Sequence, residues 1–89
     1  MEWSIEFDRR AERELRALDA TVARRIAKFL FERVAHLEDP RSIGEALRGP
    51  ELGMFWKYRV GDYRIIASIE DESIRILVVC VAHRREAYR

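Results

Sequence analysis

The stretch WKYRVGDYR, residues 56–64, carries a two-residue turn signal, Gly61-Asp62, between segments in which polar and apolar residues alternate. A turn of this length predicts a tight β-hairpin in which Arg59 lies directly opposite Arg64. Side chains on a strand alternate between its two faces, so Lys57 shares the face of these two arginines. The hairpin therefore constrains the fold strongly, because one of its faces must be cationic and the other must belong to the core.

The second face of this hairpin is apolar or aromatic, as a half-buried strand pair requires: Trp56, Tyr58, Val60, Tyr63, Ile65 and Ala67. Like charges directly opposite each other on neighbouring strands cost stability, on a scale of about 0.2–1 kcal/mol per pair. Lysine and arginine on an edge strand also discourage aggregation between sheets, which is the ordinary explanation for such residues. Three cations placed together by register favour an anion-binding face instead.

Composition restricts the class of protein. At 89 residues, with 48% hydrophobic and 37% charged residues, the chain predicts a single globular domain over residues 1–89. The net charge is only +1, so any anion site is a local cluster rather than a basic surface. Cys80 is the one cysteine and lies in an apolar run, which excludes an intrachain disulfide and predicts a buried structural thiol. No signal peptide and no apolar run near about 18 residues is recognisable, so we expect a cytoplasmic protein without membrane association.

The first half of the chain predicts one strand and two helices. Residues 2–7 alternate as a short strand, and Asp8 is a good N-cap for a first helix. Asp19 caps a second helix, and Asp39-Pro40 ends it because the residue before a proline is pushed out of the α region. The connector that follows, as far as Gly53, is interpreted as a loop without chemistry. The second helix carries a continuous apolar stripe: Val22, Ile26, Phe29, Leu30, Val34 and Leu37.

Three strands are predicted in the second half, over Met54–Val60, Tyr63–Glu70 and Ser73–Ala82. The last one is apolar on both faces apart from Arg75, which predicts a central strand. The resulting order, βααβββ, predicts an α+β fold with a helical hairpin packed on one face of a largely antiparallel four-stranded sheet.

The C-terminal segment HRREAYR is predicted to approach the cationic hairpin face. If the turn at Asp71-Glu72 is as tight as the first, Arg64 pairs near Val79, and the chain leaves the last strand at Ala82 beside the first turn. Four residues would then arrive at the cationic face: His83, Arg84, Arg85 and Tyr88. For each of them, exposure to solvent at a chain end is the ordinary alternative.

A cluster of arginine and lysine with one histidine and one tyrosine suits recognition of phosphate, or cleavage of RNA without a metal or another cofactor. Arginine presents a bidentate fork to phosphate oxygens and stabilises negative charge that develops in a transition state. RNA carries its own nucleophile, the 2′-OH, so a base, an acid and cations suffice. Lys57 or His83 can serve as base, and Tyr88 can stack on an unpaired RNA base. We expect RNA contacts from Lys57, Arg59, Arg85 and Tyr88, and we assign the helices no catalytic role.

The chain resembles the RelE/ParE superfamily of bacterial and archaeal toxins, and specifically the RelE-like branch. The resemblance depends on the element order, on WKYRVGDYRIIASIED across the hairpin and on the ending VAHRREAY. It implies a RelE-like fold and a toxin of a type II toxin–antitoxin system that cuts mRNA in the ribosomal A site. It also implies a cognate antitoxin protein as partner, besides the ribosome and mRNA.

The resemblance implies a role for particular residues of this sequence. Lys57 matches the family's proposed general-base lysine, and Arg59 matches the second cation on that strand. Arg64 matches the arginine that stabilises the transition state, Arg84 the arginine proposed as general acid, and Tyr88 the tyrosine that orients or stacks on the mRNA base. Because a histidine precedes the arginine pair here, the acid role can fall to His83 instead.

Two other functions fit the same fold. A ParE-like DNA gyrase inhibitor would be a binding module, and it does not require a Lys-Arg-Arg face joined to an Arg and Tyr tail. A catalytically silent member would survive as an antitoxin-binding module. The presence of three cations on the hairpin, together with the arginine and tyrosine of the tail, favours the endoribonuclease.

Overall fold

The computed structural model describes residues 2–48 and 54–86, and in these residues five strands form one mixed sheet. The strands are β1 (Ser4–Phe7), β2 (Glu45–Ala46), β3 (Phe55–Val60), β4 (Tyr63–Glu70) and β5 (Arg75–His83). Their spatial order is β1-β5-β4-β3-β2, with β1 parallel to β5 and the other pairs antiparallel. The predicted α+β class is confirmed and β5 is internal, but the sheet has a fifth strand, because part of the expected loop pairs with β3.

Two capped helices precede the hairpin, as the sequence predicts. Helix α1 spans Arg9–Arg16, and the Asp8 side chain accepts a hydrogen bond from the backbone N–H of Ala11 at 2.8 Å. Helix α2 spans Ala20–Lys28, and the Asp19 side chain accepts from the N–H of Thr21 at 3.1 Å. Both caps satisfy backbone donors that a helix leaves unbonded in its first turn.

The end of the second helix differs from the prediction. A π-helical turn, Phe29–Arg33, and a 3₁₀ turn, Val34–His36, continue α2, and the backbone is already extended at Leu37. Asp39 does not end the helix; its side chain caps a separate 3₁₀ turn, Pro40–Ile43, by accepting from the N–H of Arg41 at 3.0 Å. Proline is favoured at the first position of such a turn, where its missing N–H costs nothing.

One face of the sheet packs against the helices and forms the main core. Its fully buried side chains include Ile26, Leu30 and Val34 from the helical segment, and Tyr58, Ile65, Ala67, Ile76 and Val78 from the strands. This arrangement confirms the apolar stripe from Val22 to Val34 and most of the apolar face of the hairpin, whereas Leu37 and Trp56 lie outside this cluster. The Tyr58 hydroxyl donates to the Pro40 carbonyl oxygen at 2.6 Å, so the polar end of this core residue is satisfied.

A smaller apolar cluster lies apart from the main core. It contains Leu47, Ile66 and Cys80, and Cys80 is only 4% exposed. Burial raises the pKa of the Cys80 thiol, which keeps it in the unreactive protonated form. The prediction of a buried structural thiol is confirmed.

The register of the first hairpin is confirmed, whereas that of the second is wrong by three positions. Arg59 pairs with Arg64, as predicted, but Arg64 pairs with Ala82 rather than with Val79. The connection from β4 to β5 uses four residues, since Glu70 pairs with Arg75, and a further irregularity lies between Ile66 and Ala67. A bulge of this kind places an unequal number of residues on the two strands.

Helix α1 supports the C-terminal half of β5. Strand β1 pairs with β5 only as far as Val78, and beyond that point the Glu14 carboxylate accepts the N–H of Val81 at 2.8 Å. Glu14 also pairs with Arg10 at 3.2 Å. The carboxylate therefore satisfies an edge donor and helps to position the residues that follow.

Candidate functional site

The hairpin brings Lys57, Arg59 and Arg64 to the same face of the sheet. The Lys57 side chain is only 12% exposed, whereas that of Arg59 is 60% exposed. We call these three residues the cationic face. Its grouping follows directly from the pairing of Arg59 with Arg64, which sequence analysis predicted.

Glu45 is a site residue that sequence analysis missed. Strand β2 pairs Glu45 with Lys57, and the Glu45 carboxylate lies 3.2 Å from Lys57 Nζ and 3.4 Å from Arg59 Nη2. The hydrogen bond from Lys57 and the charges of Arg59, Lys57 and Arg64 lower the pKa of Glu45. A two-residue strand has no detectable periodicity, so no sequence signal distinguished this glutamate from other connector residues.

Glycine at position 44 allows the connector to approach β3 closely. A Cβ atom at Gly44 would lie 3.1 Å from Cε1 of Tyr58 and 3.4 Å from Cε3 of Trp56. The contact with Tyr58 is tight, so its ring would have to shift by a few tenths of an ångström, whereas the contact with Trp56 is of ordinary length. The missing side chain therefore helps to bring Glu45 within reach of the cationic face.

The Arg64 guanidinium folds back on the turn of its own hairpin. Its Nη1 donates to the carbonyl oxygens of Gly61 at 3.2 Å and Tyr63 at 3.0 Å. Within the described residues these bonds involve only one of its nitrogens, and a guanidinium carries five N–H donors. The remaining donors form an edge that can bind two oxygens of a phosphate.

Helix α2 contributes a further cation at the same turn. Gly61 has a positive φ of 59°, and a Cβ atom there would lie 3.0 Å from Nη1 of Arg25. The Arg25 side chain thus packs against the tip of the hairpin. Sequence analysis assigned the helices no catalytic role, and the exposed Arg25 side chain here adds positive charge beside the turn.

The tail arrives at the hairpin turn, but not all of it reaches the cationic face. The N–H of Arg84 donates to the carbonyl oxygen of Asp62 at 2.7 Å, which anchors the chain beside the turn. His83 pairs with Tyr63, and the two rings meet edge to face with centres 5.6 Å apart. Cross-strand partners share a face, so His83 lies on the core side of the sheet, opposite the cationic face.

One hydrogen bond fixes the tautomer that a neutral His83 ring adopts. Its Nδ1 accepts the N–H of Arg85 at 3.3 Å, so a neutral ring carries its proton on Nε2. The side chains of Arg84 and Arg85 are exposed. Tyr88, for which stacking on RNA is predicted, lies outside the described residues.

Residues 2–48 and 54–86 contain neither a metal-binding cluster nor a membrane-spanning helix. In that part of the chain, no group of at least three histidine, cysteine, aspartate or glutamate side chains is arranged to hold a metal ion. None of the helices described there has the length and apolar character needed to cross a membrane.

The arrangement combines anion binding with a proton acceptor. The cationic face can bind a phosphate group and stabilise added negative charge on it. A lysine accepts a proton only in its neutral form, whereas the ionised carboxylate of Glu45 accepts one directly. The site can therefore support proton abstraction next to a bound phosphate.

Comparison with known proteins identifies relatives along nearly the whole chain. A family model described as the ParE toxin of type II toxin-antitoxin systems, parDE, matches residues 5–88. The chain is 33% identical over 87 residues to the mRNA interferase toxin RelE of Escherichia coli strain K12, covering 98% of this chain and 88% of that protein. It is 29% identical over 89 residues to Toxin RelG of Mycobacterium tuberculosis, covering 100% of this chain and 99% of that protein.

The solved structures agree with these sequence matches. The chain superimposes on the toxin-antitoxin complex RelBE2 from Mycobacterium tuberculosis with a TM-score of 0.85 and 27% identity, covering 97% of this chain and 95% of the other. The predicted α+β fold is therefore confirmed both by its own strand order and by this likeness.

Proposed function

The chain belongs to the RelE/ParE superfamily, through the family of ParE toxins of type II toxin–antitoxin systems, and on that premise we propose that it is a ribosome-dependent endoribonuclease that cuts mRNA. The observation that carries the proposal is the cationic face with Glu45 against it, at 3.2 and 3.4 Å from two of its three cations. A relative with 33% identity is named an mRNA interferase, which supports the same reaction class.

In the proposed reaction, the 2′-oxygen of a ribose attacks the adjacent phosphorus while the bond from phosphorus to the 5′-oxygen breaks. The products are a 2′,3′-cyclic phosphate and a free 5′-hydroxyl. The proton lost from the 2′-OH is taken up by a base, and one proton is supplied to the leaving oxygen. Arg64 and Arg59 bind the non-bridging oxygens, where negative charge grows in the transition state.

We assign the proton acceptor to Glu45. Glu45 is ionised at neutral pH, and its carboxylate lies on the surface that would bind the phosphate. The cations that lower its pKa also make it a weaker base, so the assignment depends on its position. Lys57, 3.2 Å away, holds the carboxylate in place and adds positive charge near the scissile group. This assignment gives Lys57 an electrostatic role in place of the base role implied by family resemblance.

We assign the proton for the leaving oxygen to solvent rather than to His83, because His83 lies on the core side of the sheet, opposite the cationic face. The Arg84 guanidinium stays protonated and cannot act as an efficient acid. Arg84, anchored beside the hairpin turn, would then stabilise the leaving oxygen by its charge. Replacing His83 by Gln separates the two sources: a fall in the single-turnover rate assigns the proton to His83, and an unchanged rate assigns it to water.

We also propose that the chain works in the cytoplasm, where ribosomes lie, and that an antitoxin protein holds it inactive. The RelBE2 structure that it resembles is a toxin–antitoxin complex, which supports this kind of partner. The short β2 leaves part of the β3 edge without a strand neighbour among the described residues. Such an edge can accept an extended segment by strand addition.

The test is a reconstituted translation system programmed with a defined mRNA, with cuts mapped by primer extension. We expect cuts at codon positions that require both the toxin and ribosomes, and no cuts in the same mRNA without ribosomes. Inhibition of DNA gyrase supercoiling without mRNA cleavage would replace this proposal with the gyrase-inhibitor function. Absence of both activities, together with antitoxin binding, would favour the silent module.

A further inference from the structure

A cleft of about 210 Å³ opens beside β3, next to the start of β2. Half of its lining belongs to the site described above, and the other half comes from the helical segment and the 3₁₀ turn. The lining residues are Phe29, Arg33, Ile43, Glu45, Lys57 and Arg59. The cationic face therefore continues into a concave surface, because Lys57 and Arg59 line both.

The π-helical turn supplies the helical side of the cleft. The N–H of Val34 donates to the carbonyl oxygen of Phe29, which is the five-residue spacing of a π turn. The guanidinium carbon of Arg33 lies 6.0 Å from the centre of the Phe29 ring, at the limit of a cation–π contact. The Phe29 ring in turn contacts the buried Tyr58 ring, with centres 6.1 Å apart. The Arg33 guanidinium therefore lies over the Phe29 ring, and the Phe29 ring is held in place by its contact with Tyr58.

The chemistry of the lining suits one nucleotide of a single-stranded RNA. Three cations face one carboxylate, so the cleft keeps an excess of positive charge for a phosphate. Phe29 and Ile43 add an apolar wall, and an arginine guanidinium offers a plane on which a base can stack. The volume of 210 Å³ is below the range of about 300–1,000 Å³ of small-molecule sites, which fits one base of a longer chain better than a complete ligand.

We propose that this cleft is a substrate subsite that holds the unpaired RNA base next to the cleaved bond. The base stacks on the Arg33 guanidinium, and Arg59 binds the scissile phosphate, to which the nucleotide that carries this base is attached. Arg59 connects the two regions, because it lines the cleft and also pairs with Arg64 across the hairpin. The inference rests on the proposed endoribonuclease function and adds to it a substrate-binding role for helix residues.

The first test compares Arg33→Ala with Arg24→Ala, which removes the same charge from an exposed position on α2 that does not line the cleft. Single-turnover cleavage on mRNA-programmed ribosomes is measured as a function of toxin concentration. We expect Arg33→Ala to raise the half-saturating concentration about tenfold, as the loss of one base-stacking contact does, with a plateau rate within about twofold of wild type. Arg24→Ala should match wild type in both quantities.

The second test detects the base itself. Short mRNAs carry one abasic nucleotide immediately 5′ or 3′ of the cut position, and each is offered to the wild type, to Arg33→Ala and to Arg33→Lys. At one of the two positions, removing the base should weaken substrate use by the wild type about tenfold and leave Arg33→Ala unaffected, because the variant no longer has the stacking plane. Arg33→Lys keeps the charge without the plane, so it should behave as Arg33→Ala in this comparison.

The outcomes separate the subsite from the function on which it rests. A wild-type chain that cuts no mRNA overturns the proposed function, and the subsite with it. If the wild type cuts mRNA while Arg33→Ala follows Arg24→Ala, or if abasic substrates cost the wild type and the Arg33 variants equally, the subsite alone is overturned. It is overturned as well if Arg33→Ala cuts normally and only its inhibition by antitoxin is weakened, because the cleft would then be a protein-binding surface.

Discussion

The two ends of β4 place arginines in opposite electrostatic settings. At the Glu70 end, Arg75 contacts Glu70 at 2.6 Å, and the nearby Arg41 contacts Asp71 at the same distance. Each of these arginines has a second carboxylate at 3.4 Å: Glu6 for Arg75 and Asp39 for Arg41. Carboxylates therefore outnumber arginines at this end, and every contact lies within the protein.

The Tyr63 end of the same strand, roughly 24 Å away for an eight-residue strand, shows the reverse. Glu45 is shared by Lys57 and Arg59, and Arg64 donates only to carbonyl oxygens among the described residues. An excess of cations costs stability through repulsion, and the other end shows how carboxylates can offset it. The difference separates arginines that hold the fold together from arginines that are available to a ligand.

The sharpest test of this difference compares Arg64→Ala with Arg75→Ala. Removing a group that stabilises transition-state charge typically costs about 10²–10³ in rate, so we expect Arg64→Ala to reduce mRNA cleavage by that factor without lowering the thermal unfolding midpoint. Arg75→Ala should lower the midpoint and leave the cleavage rate within about twofold of wild type. Equal effects of the two variants on cleavage would remove the distinction between the two ends.

A second test concerns the carboxylate within the cationic face. Replacing Glu45 by Gln keeps the shape and removes the proton acceptor, so we expect a loss of about 100-fold in the single-turnover cleavage rate. Lys57→Met should cost less, because it removes a charge and not the base. A cleavage rate that rises in Glu45→Gln would show instead that the carboxylate competes with the substrate phosphate.

A third test addresses the hydrogen bond from the Tyr58 hydroxyl, on β3, to the Pro40 carbonyl oxygen, in the turn that also carries Arg41. Tyr58→Phe removes the donor to the buried Pro40 carbonyl, and leaving such a group without a partner costs about 1–3 kcal/mol. We expect the free energy of unfolding, measured in urea, to fall by this amount. Tyr63→Phe is the matched control, because the Tyr63 hydroxyl makes no hydrogen bond within the described residues; an equal loss in both variants would contradict the assignment.

The same tyrosine predicts a pH dependence at the alkaline end. Burial raises the pKa of Tyr58 from 10.0 to about 12, so the folded chain keeps a proton that the unfolded chain loses. This contribution to stability is complete below pH 10 and is lost as the pH rises toward 12, at no more than about 1.4 kcal/mol per pH unit. We expect the unfolding free energy of the wild type to fall more steeply than that of Tyr58→Phe across this range, and parallel curves would disprove it.

The smallest effect is expected at Cys80. Its burial and raised pKa predict slow alkylation by iodoacetamide in the native protein and rapid alkylation after unfolding. Cys80→Ala should keep cleavage within about twofold of wild type. A large loss of cleavage with an unchanged unfolding midpoint would give the thiol a role that its position does not support.

Local patterns predicted much of the fold. The caps at Asp8 and Asp19 and the pairing of Arg59 with Arg64 each depend on residues close together in sequence. A two-residue turn allows few registers, so alternation was enough to place three cations on one face. The second turn had the same appearance, but Ile74 adopts a positive φ of 49°, and four residues separate the strands. No feature of the sequence predicts that a β-branched residue adopts a left-handed backbone conformation at this position.

The candidate site was only partly predictable for a related reason. Glu45 contacts the cationic face and Arg33 lines the cleft beside it, and both belong to segments that are distant in sequence and have no motif of their own. Their positions depend on how the connector packs against β3 and on how the helix widens at Phe29, and both depend on the whole core. His83 shows the opposite error, since the register differs from the predicted one by three positions, and an odd shift moves every side chain of the strand to the other face.

By itself, the sequence determined the class of fold and the cationic hairpin, because strand alternation, helix caps and a tight turn act over a few residues. The tertiary structure alone decided which carboxylate joins the cations, which face the histidine takes and that a helical arginine lines the adjacent cleft. Those contacts join segments far apart in the chain. Their geometry is set by packing, pairing register and close backbone approach, which no local pattern records.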